Sequence, residues 1–164
     1  MSPRADSTTA LVEGLIAADR SIAVAESLTG GAVLAELIRV PGASAVVRGG
    51  VVAYDTALKC TLLGVDPALL ARHGPVHPAV AAAMAERVRS VAAIDGHPAH
   101  FGLATTGVAG PDPQGDAPVG LVYVALADAE RTLVREHRFS GDRAAVRRQA
   151  VDAALALLAE APPA

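Results

Sequence analysis

The stretch VGLVYVALADAERTLVREHRF, residues 119–139, decides the fold. Residues 119–127 and 131–139 are two strand-like runs joined by a tight polar turn, so they should pair as an antiparallel hairpin. Upstream, helices and strands alternate. Residues 9–19 read as a helix with Leu11, Val12, Leu15 and Ile16 on one face. A short apolar run at 21–25 reads as a buried strand, and a second helix runs to about residue 39. Residues 46–54 read as a strand that Gly49 and Gly50 interrupt, by a bulge or a close backbone approach. Asp55 should cap a helix through residue 63, and Asp66-Pro67 and His77-Pro78 open two more, the second to about residue 91. A strand follows at 101–105, and residues 142–159 form the last helix. Alternation implies a three-layer α/β/α sandwich, and the hairpin makes its sheet mixed. One domain over residues 8–160 is expected, with short tails at 1–7 and 161–164.

Composition narrows the function. Only two Phe, two Tyr and no Trp accompany an apolar fraction of 52%, so the core must be aliphatic. A net charge of −3 supplies no basic field for DNA or RNA, and a nucleic-acid partner is not expected. The one cysteine, Cys60, allows no intramolecular disulfide and fits a reducing compartment. The N-terminus lacks the apolar core of a signal peptide, and no run approaches the ~20 apolar residues of a membrane span. The chain reads as soluble and cytoplasmic, with no membrane partner.

Of 14 basic residues, 13 are arginine and one is Lys59. GC-rich coding produces such a bias unaided. An ammonium, however, can lose its proton inside a protein and a guanidinium cannot. Lys59 follows Asp55 early in a helix, where the positive helix end and burial would both lower its pKa, as a lysine general base requires.

Three other segments carry chemistry. Glu26-Ser27-Leu28-Thr29-Gly30-Gly31 joins a strand to a helix, where free N–H groups and the helix dipole favour a phosphate or an oxyanion formed when Ser27 attacks a carbonyl. It reads equally as a helix start capped by Ser27 or Thr29. Thr105-Thr106-Gly107-Val108-Ala109-Gly110-Pro111-Asp112 is a second strand end followed by a glycine-rich turn, but lacks a nucleotide-binding spacing. Arg143, after Ser140-Gly141-Asp142, stands in a helix first turn where an anion would explain it, and Arg147 is one turn on, within reach of the same phosphate; a solvated face is the plain alternative. The histidines do not form a rigid metal pair, since Gly74-Pro75 separates His73 from His77, and no metal is expected.

Taken together, the motifs at 25–31, Tyr54 to Lys59, 107–112 with Pro118-Val119-Gly120, and 139–143 resemble the CinA C-terminal domain family, over about residues 9–160. The resemblance implies a nicotinamide-nucleotide amidase. Such an enzyme hydrolyses the carboxamide of nicotinamide mononucleotide (NMN) to nicotinate mononucleotide and ammonia, in pyridine-nucleotide recycling and without a cofactor. By the same resemblance Ser27 is the nucleophile and Lys59 the base, with Tyr54 nearby. Thr106 and Arg143 are site residues, and Thr29, Gly30, Gly31 and Gly107 line the oxyanion and substrate site. The resemblance leans toward a homodimer. His77-Pro78 departs from the Ser or Thr frequent there in relatives, which reads as a change of helix cap. The alternative is a non-catalytic module that binds a nucleotide or a protein, linked to competence and recombination.

Overall fold

Ile22–Glu26 (β1) is buried along its whole length, with a strand on each side of it. The structure, a computed structural model, describes residues 3–161. Residues 1–2 and 162–164, parts of the two expected tails, lie outside the described residues. β1 pairs in parallel with Val47–Val52 (β2) on one side and Phe101–Gly107 (β3) on the other. Leu121–Ala127 (β4) and Thr132–Arg138 (β5) add antiparallel strands, giving the order β2-β1-β3-β4-β5. The mixed sheet and its hairpin are therefore as the sequence predicts.

Strand alternation sorts the core into two faces. Ile22, Val24, Leu103, Val122 and Val124 point to one side, where Pro3–Ala17 (α1), Ala32–Ile38 (α2) and Arg143–Ala159 (α6) cover them. Ala23, Ala25, Ala104, Ala125 and Ala127 point to the other, beneath Pro78–Val91 (α5). Leu121 and Tyr123 share that face, but its small alanines let α5 approach the sheet closely. Thr56–Thr61 (α3) and Pro67–His73 (α4) complete the crossover from β2 to β3. Among the described residues no helix is long and apolar enough to cross a membrane.

Local signals explain most boundaries. Asp55, Asp66 and Asp142 cap α3, α4 and α6 through their carboxylates. His77 caps α5 by accepting the Ala79 N–H at Nδ1, 3.2 Å away. Both readings of the Gly49-Gly50 pair apply. The β1–β2 register shifts past Arg48, and a Cβ on Gly50 would lie 2.6 Å from the Val24 carbonyl oxygen. α1 starts at Pro3, ahead of the expected residue 9, because the apolar spacing of Leu11 to Ile16 marks only the packed turns, and proline is tolerated at a helix start.

Gly102 is where α5 comes closest: a Cβ there would lie 2.0 Å from the Ala85 carbonyl oxygen. Gly102→Ala should therefore destabilise by about 1–3 kcal/mol, the usual range for an overfilled core. At ~2–4 °C per kcal/mol the melting temperature should fall by several degrees in a thermal melt. An unchanged midpoint would show that the α5–sheet spacing is loose.

Candidate active site

Because β1, β2 and β3 are parallel, their carboxyl ends lie at one edge of the sheet, and the segments leaving them converge. β1 has one parallel neighbour on each side, so the crossovers diverge there and leave a crevice, the usual place for a ligand in such sheets. The crevice here is a cavity of about 290 Å³, at the small end for ligand sites.

Ser27 leaves β1 directly, and its N–H donates to the Thr105 carbonyl at 3.1 Å. The chain then turns through Gly30 and Gly31, with φ of 61° and 94°, values that favour glycine. Glu26, fully buried at the end of β1, sends its carboxylate beneath α2. It accepts the N–H groups of Gly31, Val33 and Leu34 at 2.9, 3.1 and 2.8 Å. An internal carboxylate thus caps α2 and occupies the positive end of its dipole.

That finding corrects two expectations. Neither Ser27 nor Thr29 caps the helix, and the Thr29 hydroxyl instead bonds the Thr105 hydroxyl at 2.7 Å. The N–H groups of Gly30 and Gly31 are not open to an oxyanion either. Gly30 donates to the Ser27 carbonyl at 3.1 Å and Gly31 to Glu26. Thr29, Gly30 and Gly31 all lie off the cavity lining.

Lys59 enters from α3, with only 1% of its surface exposed. Its Nζ lies 2.8 Å from the Ala53 carbonyl oxygen and 3.1 Å from Ser27 Oγ. Loss of hydration on burial holds its pKa at about 8, against the opposing pull of the Asp55 carboxylate. The expected help from the helix end is not the cause. Lys59 is the fourth residue of a six-residue helix, in its last turn. Cys60, its neighbour, is half-buried against the alanine-face core and off the cavity lining.

The third wall comes from β3. The Thr106 hydroxyl donates to the Pro75 carbonyl at 2.7 Å, and Gly107 follows it along the lining. Arg143 stands at the mouth, donating to the Gly110 carbonyl at 2.7 Å and to the Tyr54 hydroxyl at 2.8 Å. Ser27, Lys59, Tyr54, Thr106, Gly107 and Arg143 thus line one cavity. Arg147, expected beside Arg143, turns instead to the backbone of the Ser27 turn, 2.9 Å from each of the Leu28 and Thr29 carbonyl oxygens.

Residues 4–161 match the CinA C-terminal domain. The chain belongs to that family. A CinA-like protein from Frankia casuarinae is 49% identical over 154 residues, which is 93% of this chain and 34% of that protein. A CinA-like protein from Acidobacterium capsulatum is 47% identical over 136 residues, 82% of this chain and 32% of that one. The chain therefore spans about a third of the length of the curated relatives it matches. Among solved structures, a CinA superfamily protein from Klebsiella pneumoniae superposes with a TM-score of 0.90 at 31% identity, covering 97% of each chain. A competence/damage inducible protein from Agrobacterium tumefaciens gives 0.89 at 30% identity, covering 97% of this chain and 95% of that one. The five-stranded mixed sheet with its helical layers is thus the CinA superfamily fold.

Within this CinA-family site, the buried amine has a thermodynamic signature. Lys59 titrates at about 8 in the folded chain against an ordinary 10.5. Between those values the unfolded chain binds more protons, so folding stability rises with pH. Thermal melts of wild type and Lys59→Met should show wild type gaining on the variant from pH 8 to pH 10, with a constant difference below pH 7. A difference that stays flat across the upper range would mean that the amine is hydrated.

Proposed function

We propose that this CinA-family chain is a serine–lysine amidase that hydrolyses the carboxamide of NMN to nicotinate mononucleotide and ammonia. The observation that carries the reading is the contact between a buried amine and a hydroxyl, Lys59 Nζ to Ser27 Oγ at 3.1 Å. That distance lies within the reach a general base needs, and a pKa of about 8 leaves roughly a tenth of the amine neutral at pH 7. The Ala53 carbonyl takes one amine hydrogen and so helps to aim the nitrogen lone pair.

In this mechanism neutral Lys59 takes the Ser27 proton as Oγ bonds to the carboxamide carbon, and the carbonyl oxygen becomes an oxyanion. The Lys59 ammonium returns the proton to the amide nitrogen. The carbon–nitrogen bond breaks, ammonia leaves, and an acyl-serine remains. Lys59 then removes a proton from water, which attacks the acyl carbon, and gives it to Ser27 Oγ as nicotinate mononucleotide departs. Arg143, at the mouth, suits the substrate phosphate, because two of its five N–H groups are committed to Gly110 and Tyr54 and three remain.

Ammonia release from NMN tests the assignment. Ser27→Ala and Lys59→Arg should each lower kcat by ~10³-fold or more, with melting midpoints near wild type for Ser27→Ala. Arginine at 59 keeps the charge but cannot act as the base. Activity near wild type in either variant would remove the residue from the chemistry. Ammonia release by wild type should also rise with pH through about 8 and level off above it, following the neutral amine. A rate that falls over that range would mean that the charged amine is the working form.

A further inference from the structure

The turn that presents Ser27 holds its peptide groups in an unusually complete way. A trans peptide is planar, so fixing its carbonyl fixes the N–H on the opposite edge. The Ser27 carbonyl is fixed by the Gly30 N–H at 3.1 Å. The Leu28 and Thr29 carbonyls are held by Arg147, through Nε and Nη2, at 2.9 Å each, and the Thr29 carbonyl also accepts the Ala32 N–H at 3.3 Å. All three peptide planes after Ser27 are therefore pinned. Among the described residues the Leu28 N–H takes no hydrogen-bond partner, and Leu28 lines the cavity beside Ser27, whereas Thr29 is fully buried off the lining. Glu26 and the Ser27 carbonyl have already claimed the Gly31 and Gly30 N–H groups.

We infer that Arg147 is a positioning residue: its guanidinium fork holds the Leu28 and Thr29 carbonyls and so fixes the turn whose Gly30 N–H anchors the Ser27 carbonyl, which sets the Leu28 N–H of that same Ser27–Leu28 peptide as an oxyanion donor for Ser27. The inference rests on the serine–lysine reading above. An oxyanion site lowers a barrier because its donors are aimed before charge develops. Arg147 supplies that aim from outside the cavity. It grips two neutral carbonyls, and a guanidinium can span both where a lysine cannot. The residue after a serine nucleophile is a common oxyanion donor in other hydrolases, on different folds.

The test compares wild type with Arg147→Met, which keeps the aliphatic stem, and with Arg147→Lys, which keeps the charge without the fork. Three quantities are read well below the melting midpoints: the midpoint itself, kcat and KM for ammonia release from NMN, and the rate at which a fluorophosphonate labels Ser27, followed by intact mass. In labelling, Ser27 Oγ bonds to phosphorus, fluoride leaves, and the serine proton passes to Lys59, so the arm does not depend on a carboxamide substrate. Arg147→Met should lower kcat by ~10²-fold, the scale of one lost oxyanion donor, with KM within about twofold. Labelling should slow in parallel, Arg147→Lys should fall between, and the pH midpoint of the rate should stay that of wild type. Wild-type kcat and labelling in a variant that merely melts lower would overturn the proposal, as would a rise in KM with kcat unchanged. If Arg147→Met does not fold, Arg147→Lys decides by the same criteria. If wild type labels at Ser27 but releases no ammonia from NMN, the substrate reading fails alone and labelling still decides the role of Arg147. If wild type does not label, the nucleophile reading fails and takes this proposal with it.

Discussion

Burying an amine away from any carboxylate disfavours its charged form, and the candidate site is organised around that constraint. Lys59 is among the largest fully buried side chains in the molecule, and its partners are a neutral carbonyl and a neutral hydroxyl. Among the described residues the Asp55 carboxylate is the acid that pulls against it, and hydration loss outweighs that pull. A carboxylate in contact would lift the pKa toward its ordinary range and remove the base. Glu26 shows how such an acid can be kept apart. It is one residue from Ser27 and fully buried, yet its oxygens are taken by three backbone N–H groups of α2. Two buried ionisable groups thus flank the same serine, Glu26 through the chain and Lys59 through space, each answered by backbone dipoles.

Sheet topology makes this arrangement possible. The order β2-β1-β3 brings three parallel strand ends to one edge, and each end delivers something different. β1 gives Glu26 and Ser27, β2 leads to Ala53 and Tyr54, and β3 gives Thr106 and Gly107. The start of α6 then ties these ends together. Arg143 and Arg147 are four apart and so lie on one face of the helix. The first bridges the loop after β3 to the segment after β2, and the second holds the turn after β1. One helix terminus therefore braces all three walls.

Much of this was legible in the chain because the signals are local. The polar turn within residues 119–139 announced the hairpin, Asp55 and Asp66 announced their helices, and the sole lysine drew notice by composition. What stayed hidden depends on partners distant in sequence or on which donors a turn spends internally. The Arg147 guanidinium finds carbonyls 118 and 119 residues away, so its spacing to Arg143 pointed wrongly to a shared phosphate. Gly30 and Gly31 gave the correct turn but the wrong chemistry. Conformation can be read from glycine, whereas the capture of their N–H groups by Glu26 and the Ser27 carbonyl needs the folded geometry. An acid closing an otherwise apolar strand was the available clue to Glu26.

The use of arginine everywhere else sharpens what Lys59 is for. Arg48, Arg89, Arg143 and Arg147 all direct guanidinium groups at backbone carbonyls, where a permanent charge and a rigid fork are assets. Such contacts need no proton exchange, and arginine makes each of them without titrating. At position 59 the requirements reverse. The side chain must enter a dry interior, touch one hydroxyl and one carbonyl, and exist without charge for part of the time. An ammonium can meet all three because its proton leaves at about pH 8 there, and a guanidinium fails the last. Coding bias accounts for an excess of arginine, but it does not place the one exception beside the one serine at the end of β1.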